Sequence, residues 1–236
     1  MLLMQASTSM GEVLLAVMCD GMGGLKKGEL ASAEVVRAMA GWFRDQLPVL
    51  IRDGFDPTGL RDDWKRIVDE QDEAISRYGA RNGFQLGTTL AAILFIGNKY
   101  YIINIGDSRV YQVEDNNLFQ LTHDHTVVQR EVDLGHMTLE QAEMDSRRNI
   151  LLQCIGASDY TEPDFFMGEF RPGMVFLICC DGFRHVLSAG ELSAYFGPSR
   201  MRDENQMKSV LAGSVEEIKR RNETDNISAI LIKTLS

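Results

Sequence analysis

Cationic side chains are scarce in this 236-residue chain: 24 Lys and Arg stand against 34 Asp and Glu, a formal charge of −10. That deficit argues against a nucleic-acid partner, because a phosphate backbone is gripped through a basic face, and against an anionic membrane surface. An acidic protein can still bind phosphorylated molecules if metal ions supply positive charge locally. Cysteine is also sparse. The four thiols, Cys19, Cys154, Cys179 and Cys180, contain no C-x-x-C pair, which removes the usual spacing of a structural zinc site. Cys19, Cys179 and Cys180 lie in apolar strand-like runs, so buried, reduced thiols are expected. No apolar run reaches transmembrane length, and Met1–Met4 is too short for a leader, so a cytoplasmic protein is expected. Internal repeats, low-complexity segments and flexible linkers are missing as well, and residues 1–236 read as one domain.

What is present is a hydrophobic fraction of 44%, enough for a sizeable core. Val13–Cys19 is an unbroken apolar run, short and closed by glycines, which predicts a strand buried on both faces. It delivers Asp20 to its C-terminal end beside Gly21, and Gly23 and Gly24 then permit a tight turn. Met1–Thr8 reads as a preceding strand. Helical spacing predicts helices from about Gly28 to Leu47 and from Leu60 to about Arg81, the second with a charge-rich solvated face. Strands follow at Thr89–Ile96 and Lys99–Ile105 around Gly97-Asn98, then at Arg109–Val113 and Leu118–Leu121. Thr126–Ile150 reads as helical and polar, interrupted by Gly135. Phe165–Phe170 and Met174–Cys180 read as strands separated by Pro172-Gly173. A short helix at Leu192–Phe196, a long amphipathic one at Met201–Asn222 and a last strand at Ile227–Leu235 close the chain. Helices in blocks and strands in hairpins disfavour a doubly wound parallel sheet and favour two antiparallel sheets packed face to face, with helices outside.

Four aspartates stand at ends of apolar strands or in adjoining turns. Asp20 ends Val13–Cys19, and Asp181 ends Val175–Cys180; each is followed by glycine. Asp225 precedes the last strand, and Asp124 lies between His123 and His125 just after Leu118–Leu121. Carboxylates presented at one rim repel unless cations sit between them, and oxygen-rich sites of this kind suit Mg²⁺ or Mn²⁺. Any single Asp-Gly is more often a turn, so the weight lies in the repetition. His123 and His125 read as exposed or hydrogen-bonded turn residues, since hard ions prefer oxygen. Alternation along a strand predicts that the Cys19 and Cys180 thiols point away from the metals. The glycine loop is not a nucleotide fingerprint: Gly21-x-Gly23 lacks the third glycine, and Glu29 follows Gly28 where a P-loop needs lysine.

Seven stretches, in order, resemble the PPM family of metal-dependent Ser/Thr protein phosphatases (type 2C) in its bacterial form. They are CDGMGGLKKGELAS at Cys19–Ser32, LGTTLAAILF at Leu86–Phe95, NIGDSRVYQ at Asn104–Gln112 and LTHDHTVVQ at Leu121–Gln129. LEQAEMDSRRNILLQCIG within Met137–Ala157, LICCDGFRHVLSAGEL at Leu177–Leu192 and TDNISAILI at Thr224–Ile232 complete the set. The resemblance implies an α+β fold, a four-layer αββα sandwich of two antiparallel sheets flanked by helices. It implies a centre of two or three Mn²⁺ or Mg²⁺ ions that hydrolyses phosphoserine and phosphothreonine in proteins through a metal-activated water, with no side-chain nucleophile. By matching position, Asp20 would bridge two ions, the Gly21 carbonyl would bind one of them, Asp181 and Asp225 would complete the coordination of the first ion, and Asp124 would share a weaker third site with Asp181. Residues 126–158 would form a flap beside the site, and Gly106-Asp107-Ser108-Arg109 would be a structural turn locked by an Asp–Arg contact.

The resemblance further implies phosphoprotein substrates, an opposing Ser/Thr kinase, a signalling role and a monomer. It departs from the family at two places. Met22 stands where eukaryotic relatives have a proton-donating histidine, which leaves no general acid to name. The family's first strand, with a phosphate-binding arginine and then an acidic metal ligand, has no counterpart, since no Arg precedes Arg37 and no Asp or Glu precedes Glu12. Either the sequence starts downstream of the true start or the chain is a shortened member, and weak activity of residues 1–236 is expected; the alternative function is that of an inactive relative that binds phosphoproteins.

Overall fold

The structure, a computed structural model, describes residues 1–22 and 25–235, and of Leu25 and Lys26 it describes the backbone only. The predicted tight turn at Gly23-Gly24 lies outside the described residues.

Two antiparallel sheets dominate. The first has five strands, β1 (Leu2–Thr8), β2 (Gly11–Met18), β5 (Leu90–Ile96), β6 (Lys99–Ile105) and β9 (Asp164–Glu169), in the spatial order β1-β2-β5-β6-β9. The second has four, β7 (Arg109–Val113), β8 (Leu118–Gln120), β10 (Val175–Cys179) and β11 (Ala229–Lys233), in the order β11-β10-β7-β8. A small bridge pairs β3 (Gly21–Met22) with β4 (Gly87–Thr88). The helices are α1 (Leu25–Asp45), α2 (Leu47–Arg52), α3 (Pro57–Asn82), α4 (Val127–Asp133), α5 (Leu139–Met144), α6 (Asp181–Arg184), α7 (Ala189–Phe196) and α8 (Glu204–Arg220). None of them is long and apolar enough to cross a membrane.

The period-two alternation of the strands decides the layering. Val13, Leu15 and Val17 of β2 face one way, joining Leu90, Ala92, Leu94, Tyr101, Ile103 and Ile105 beneath Val35, Met39, Trp64 and Ile75 of α1 and α3. The intervening Ala16, Met18, Ala91, Ile93, Phe95 and Ile102 face the second sheet, whose Val110, Val175, Phe176 and Ile178 share their core with Leu192, Phe196 and Ile218 of α7 and α8. The result is the αββα sandwich: helix, sheet, sheet, helix. Local sequence sets the helix ends. Asp56 caps α3 by accepting from the Gly59 N–H at 3.2 Å, Pro57 opens it, and Gly83, at φ 72°, closes it in the left-handed region. Ser188 and Glu191 form a capping box at α7.

Three expectations change. Phe165–Phe170 and Met174–Cys180 are not a hairpin. β9 pairs with β6, while β10 lies between β7 and β11, so Pro172-Gly173 carries the chain from one sheet to the other. All five residues of β10 are buried, a burden that only a central strand can satisfy. The 126–150 stretch forms two short helices, because Gly135 (φ 72°) ends the first and Thr138 caps the second; Met144 ends the helical part. On the charged face of α3, Asp63 accepts from the Trp42 indole N–H at 3.0 Å. Asp72 accepts from the Gly156 N–H at 2.6 Å and the Thr161 hydroxyl at 3.2 Å.

Asp72 thus fastens the end of the 126–158 segment to the helical layer. Asp72→Ala strands the Gly156 N–H and is expected to cost about 1–3 kcal/mol, measured by urea unfolding. Faster proteolysis near residues 154–161 should accompany that loss.

Candidate active site

The strands that deliver Asp20 and Asp181 end, and the strand after Asp225 begins, at the same rim of the sandwich. β2 ends at Met18, and the chain leaves the sheet through Cys19 to Asp20. β10 ends at Cys179, and Asp181 becomes the first residue of α6. Asp225 lies just before β11, which pairs with β10. The glycines after the first two aspartates have a packing role. A Cβ on Gly21 would collide with the backbone of Gly28 in α1, and one on Gly182 would collide with the Asn226 carbonyl. Only glycine lets the Asp225-Asn226 loop come within van der Waals range of the Asp181 turn.

These residues line a cleft of about 620 Å³ with Met22, Asp107, Asn149, Leu151 and Thr224 around them. Asp20, Asp181 and the Cys180 sulfur bring ligand atoms within 4.8 Å of one another. No lysine, arginine or histidine is among the described residues lining the cleft. Burial pushes the Asp20 carboxyl up to about 8, helped by the negative charges of Asp181, Asp225 and Asp107. Asp107, 7% exposed, is raised to about 6 by burial, against the opposing pull of Arg184. Without cations this rim holds protons where carboxylates normally hold none.

Asp107 is the residue that sequence reasoning missed. The Asp–Arg contact expected inside Gly106–Arg109 has other partners. Arg109 grips Asp124 in a fork, Nε to Oδ1 at 2.9 Å and Nη2 to Oδ2 at 2.6 Å, while Gln120 donates to Asp124 Oδ1 at 2.8 Å. Asp124 is buried, outside the cleft lining, with both oxygens engaged by side chains. Asp107 is left to face the cleft, held by Arg184, whose Nη2 donates to the Asp107 carbonyl at 3.1 Å. One signal was available: Gly106-Asp107 follows the apolar strand β6 much as Asp20-Gly21 follows β2.

Cys180 also departs from expectation. The alternation argument placed its thiol away from the metals, but β10 stops at Cys179, so period two no longer applies between Cys180 and Asp181. Its thiol donates to the Asn226 carbonyl at 3.0 Å, and burial pushes it up to about 12. Cys19 and Cys179 are pushed to about 12 by burial as well, so all three stay protonated, unreactive thiols at neutral pH.

The histidines are hydrogen-bonded. His125 is 7% exposed, and its Nδ1 accepts from the Gly106 N–H at 3.3 Å. Its Nε2 lies 3.1 Å from Asp164 Oδ2, so both ring nitrogens are engaged within the protein.

Comparison with known proteins fits this geometry. The family model described as protein phosphatase 2C matches residues 4–234. The chain belongs to the protein phosphatase 2C family. A serine/threonine phosphatase, stp, of Listeria welshimeri is 31% identical over 182 residues, covering 75% of this chain and 69% of the relative. The Mycobacterium tuberculosis serine/threonine phosphatase PstP has a crystal structure that superimposes with TM-score 0.79 at 28% identity, over 98% of this chain and 92% of that one. A crystal structure of a PstP catalytic domain in complex with two manganese ions superimposes with TM-score 0.75 at 28% identity, over 98% of this chain and 91% of that one.

Two outcomes follow for this phosphatase 2C chain. Asp20 and Asp107 bind protons more tightly folded than unfolded, so their contribution to stability is complete below about pH 4 and is lost as pH rises toward about 8. Chelator-treated protein should therefore melt at lower temperature at pH 8.5 than at pH 5.5, and Mn²⁺ should shrink or reverse that trend. Asp124→Asn leaves the half-buried Arg109 without its charged fork partner, at a cost of about 1–3 kcal/mol. Asp107→Asn removes a disfavoured buried charge and should leave the ion-free melting temperature at pH 8 unchanged or higher. Calorimetric melts of both variants separate the two roles.

Proposed function

We propose that this chain is a metal-dependent protein phosphatase acting on phosphoserine and phosphothreonine. The observation that carries the reading is the convergence of Asp20, Asp181, Asp225 and Asp107 on a cleft whose described lining holds no cationic side chain. The donor set fits hard divalent ions: oxygen ligands, clustered negative charge, and a carboxyl whose proton is retained only for want of a better cation. Asp20, Asp181 and Asp225, with the Gly21 carbonyl, are the residues that would hold two ions, Mn²⁺ or Mg²⁺. Asp107 stands where a third would be shared with Asp181, a role the geometry supports better for it than for Asp124.

Bound there, the ions would supply Lewis acidity toward phosphoryl oxygens and lower the pKa of a coordinated water. The chain's own residues supply placement. Asp20 gives up its proton on ion binding, so affinity rises with pH until that carboxyl is ionised. Asn149 and Leu151, from the 126–158 flap, wall one side of the cleft where the substrate chain flanking the phosphorylated residue would lie. Met22, 39% exposed, contributes no exchangeable proton. Phosphoproteins are thus the substrates, opposite a Ser/Thr kinase, within a single domain. The alternative, an inactive phosphoprotein-binding relative, gives no reason for a self-repelling acidic cleft.

Mn²⁺-dependent hydrolysis of p-nitrophenyl phosphate and of a phosphothreonine peptide tests the proposal. Asp181→Ala should lower the rate at least about 100-fold while leaving the fold intact by circular dichroism. Turnover that persists in excess chelator would sink it.

A further inference from the structure

Asp20 lies beyond the end of its strand, so something other than the β2 ladder must hold its main chain. Two consecutive threonines do so. The Asp20 N–H donates to Thr89 Oγ1 at 3.0 Å; the Asp20 carbonyl accepts from the Thr89 N–H at 2.9 Å and from the Thr88 hydroxyl at 3.0 Å. Thr89 then reaches the connection between β6 and β7. Its Oγ1 lies 2.8 Å from the Ser108 hydroxyl, and a Cβ added to Gly106 would fall 2.6 Å from its methyl. Gly106 (φ 93°) and Ser108 are the residues on either side of Asp107. One side chain, 3% exposed, therefore touches the peptide of Asp20 with its hydroxyl and both neighbours of Asp107 with its two ends. Ser108 is fully buried, so water does not compete for that link.

We propose that Thr89 is a positioning residue that fixes the Asp20 carboxylate against Asp107 and thereby sets the affinity of the cleft for divalent cations. The inference rests on the metal reading of the cleft. Asp20 follows β2 and Asp107 lies in the connection from β6 to β7; the two repel each other, so ion-free they gain by moving apart, and a site that lets them do so must pull them together again on binding. Thr89 removes that freedom. Its two halves are separable: valine keeps the methyl on Gly106 and removes both hydroxyl contacts, whereas serine keeps the hydroxyl.

The experiment is calorimetric titration of the full chain with Mn²⁺, paired with melts in chelator and with kcat and KM for p-nitrophenyl phosphate across Mn²⁺ concentrations. Thr89→Val should weaken Mn²⁺ binding about tenfold or more, the range seen when ligand-orienting groups are removed, and its kcat should recover at saturating Mn²⁺. Thr89→Ser should bind within about threefold of the wild type, below that range. A Thr89→Val isotherm equal to wild type, with only the melt lowered, overturns the inference and leaves Thr89 a structural residue. A flat wild-type titration overturns the metal reading and this inference together. Ser108→Ala cuts the same link from the β6–β7 connection; should Thr89→Val fail to fold, unchanged Mn²⁺ affinity in Ser108→Ala overturns the inference.

Discussion

Like-charge repulsion at one rim of the sandwich is the constraint around which this molecule is built. The carboxylates of Asp20, Asp107, Asp181 and Asp225, with Glu29 beside them, converge on a cleft whose described lining offers no lysine or arginine to offset them. Nothing local favours that arrangement. It holds because the strands that deliver Asp20 and Asp181 are packed on both faces, the last four residues of β2 and all five of β10 being buried. Displacing either aspartate would mean shifting a strand whose alternate residues lock two layers at once. The unfavourable electrostatics are therefore offset by packing remote from the cleft, and the tension appears in the elevated proton affinity of Asp20 and Asp107.

The same rim shows how backbone geometry and charge divide the labour. Glycines 21 and 182 matter for the neighbouring backbones they admit, at Gly28 and at Asn226. Hydrogen bonds from Thr88 and Thr89 hold a main chain that has already left its sheet. Behind the cleft, Arg109 and Arg184 sort two aspartates of similar sequence setting into different roles. Asp124 is consumed by the fork of Arg109, while Asp107 keeps its carboxylate toward the cleft. The guanidinium–carboxylate fork has a geometry that a single charge contact lacks, and it withdraws both oxygens of Asp124 at once.

Much of this was legible in the chain itself. Strand and helix positions followed from hydrophobic period, helix ends from capping residues such as Asp56 and Ser188, and the αββα layering from blocks of helices beside strands in hairpins. Membership of the protein phosphatase 2C family rested on seven ordered motifs, and the family model spans residues 4–234. The repeated pattern of apolar strand followed by aspartate and glycine pointed to Asp20, Gly21 and Asp181, which the fold brings to one cleft with Asp225.

Composition, periodicity and motif order determined, without coordinates, which residues would be buried, which would turn and which carboxylates were candidates, because these depend on chemistry within a few residues. Three matters were decided only when distant segments met. Pairing across the chain sent β9 and β10 to different sheets. The position of Arg109 withdrew Asp124 and exposed Asp107 to the cleft. The helix that begins at Asp181 broke the alternation that would have turned the Cys180 sulfur away. Each depends on which group lies within a few ångströms across tens of residues of chain, and local pattern carries no record of that distance.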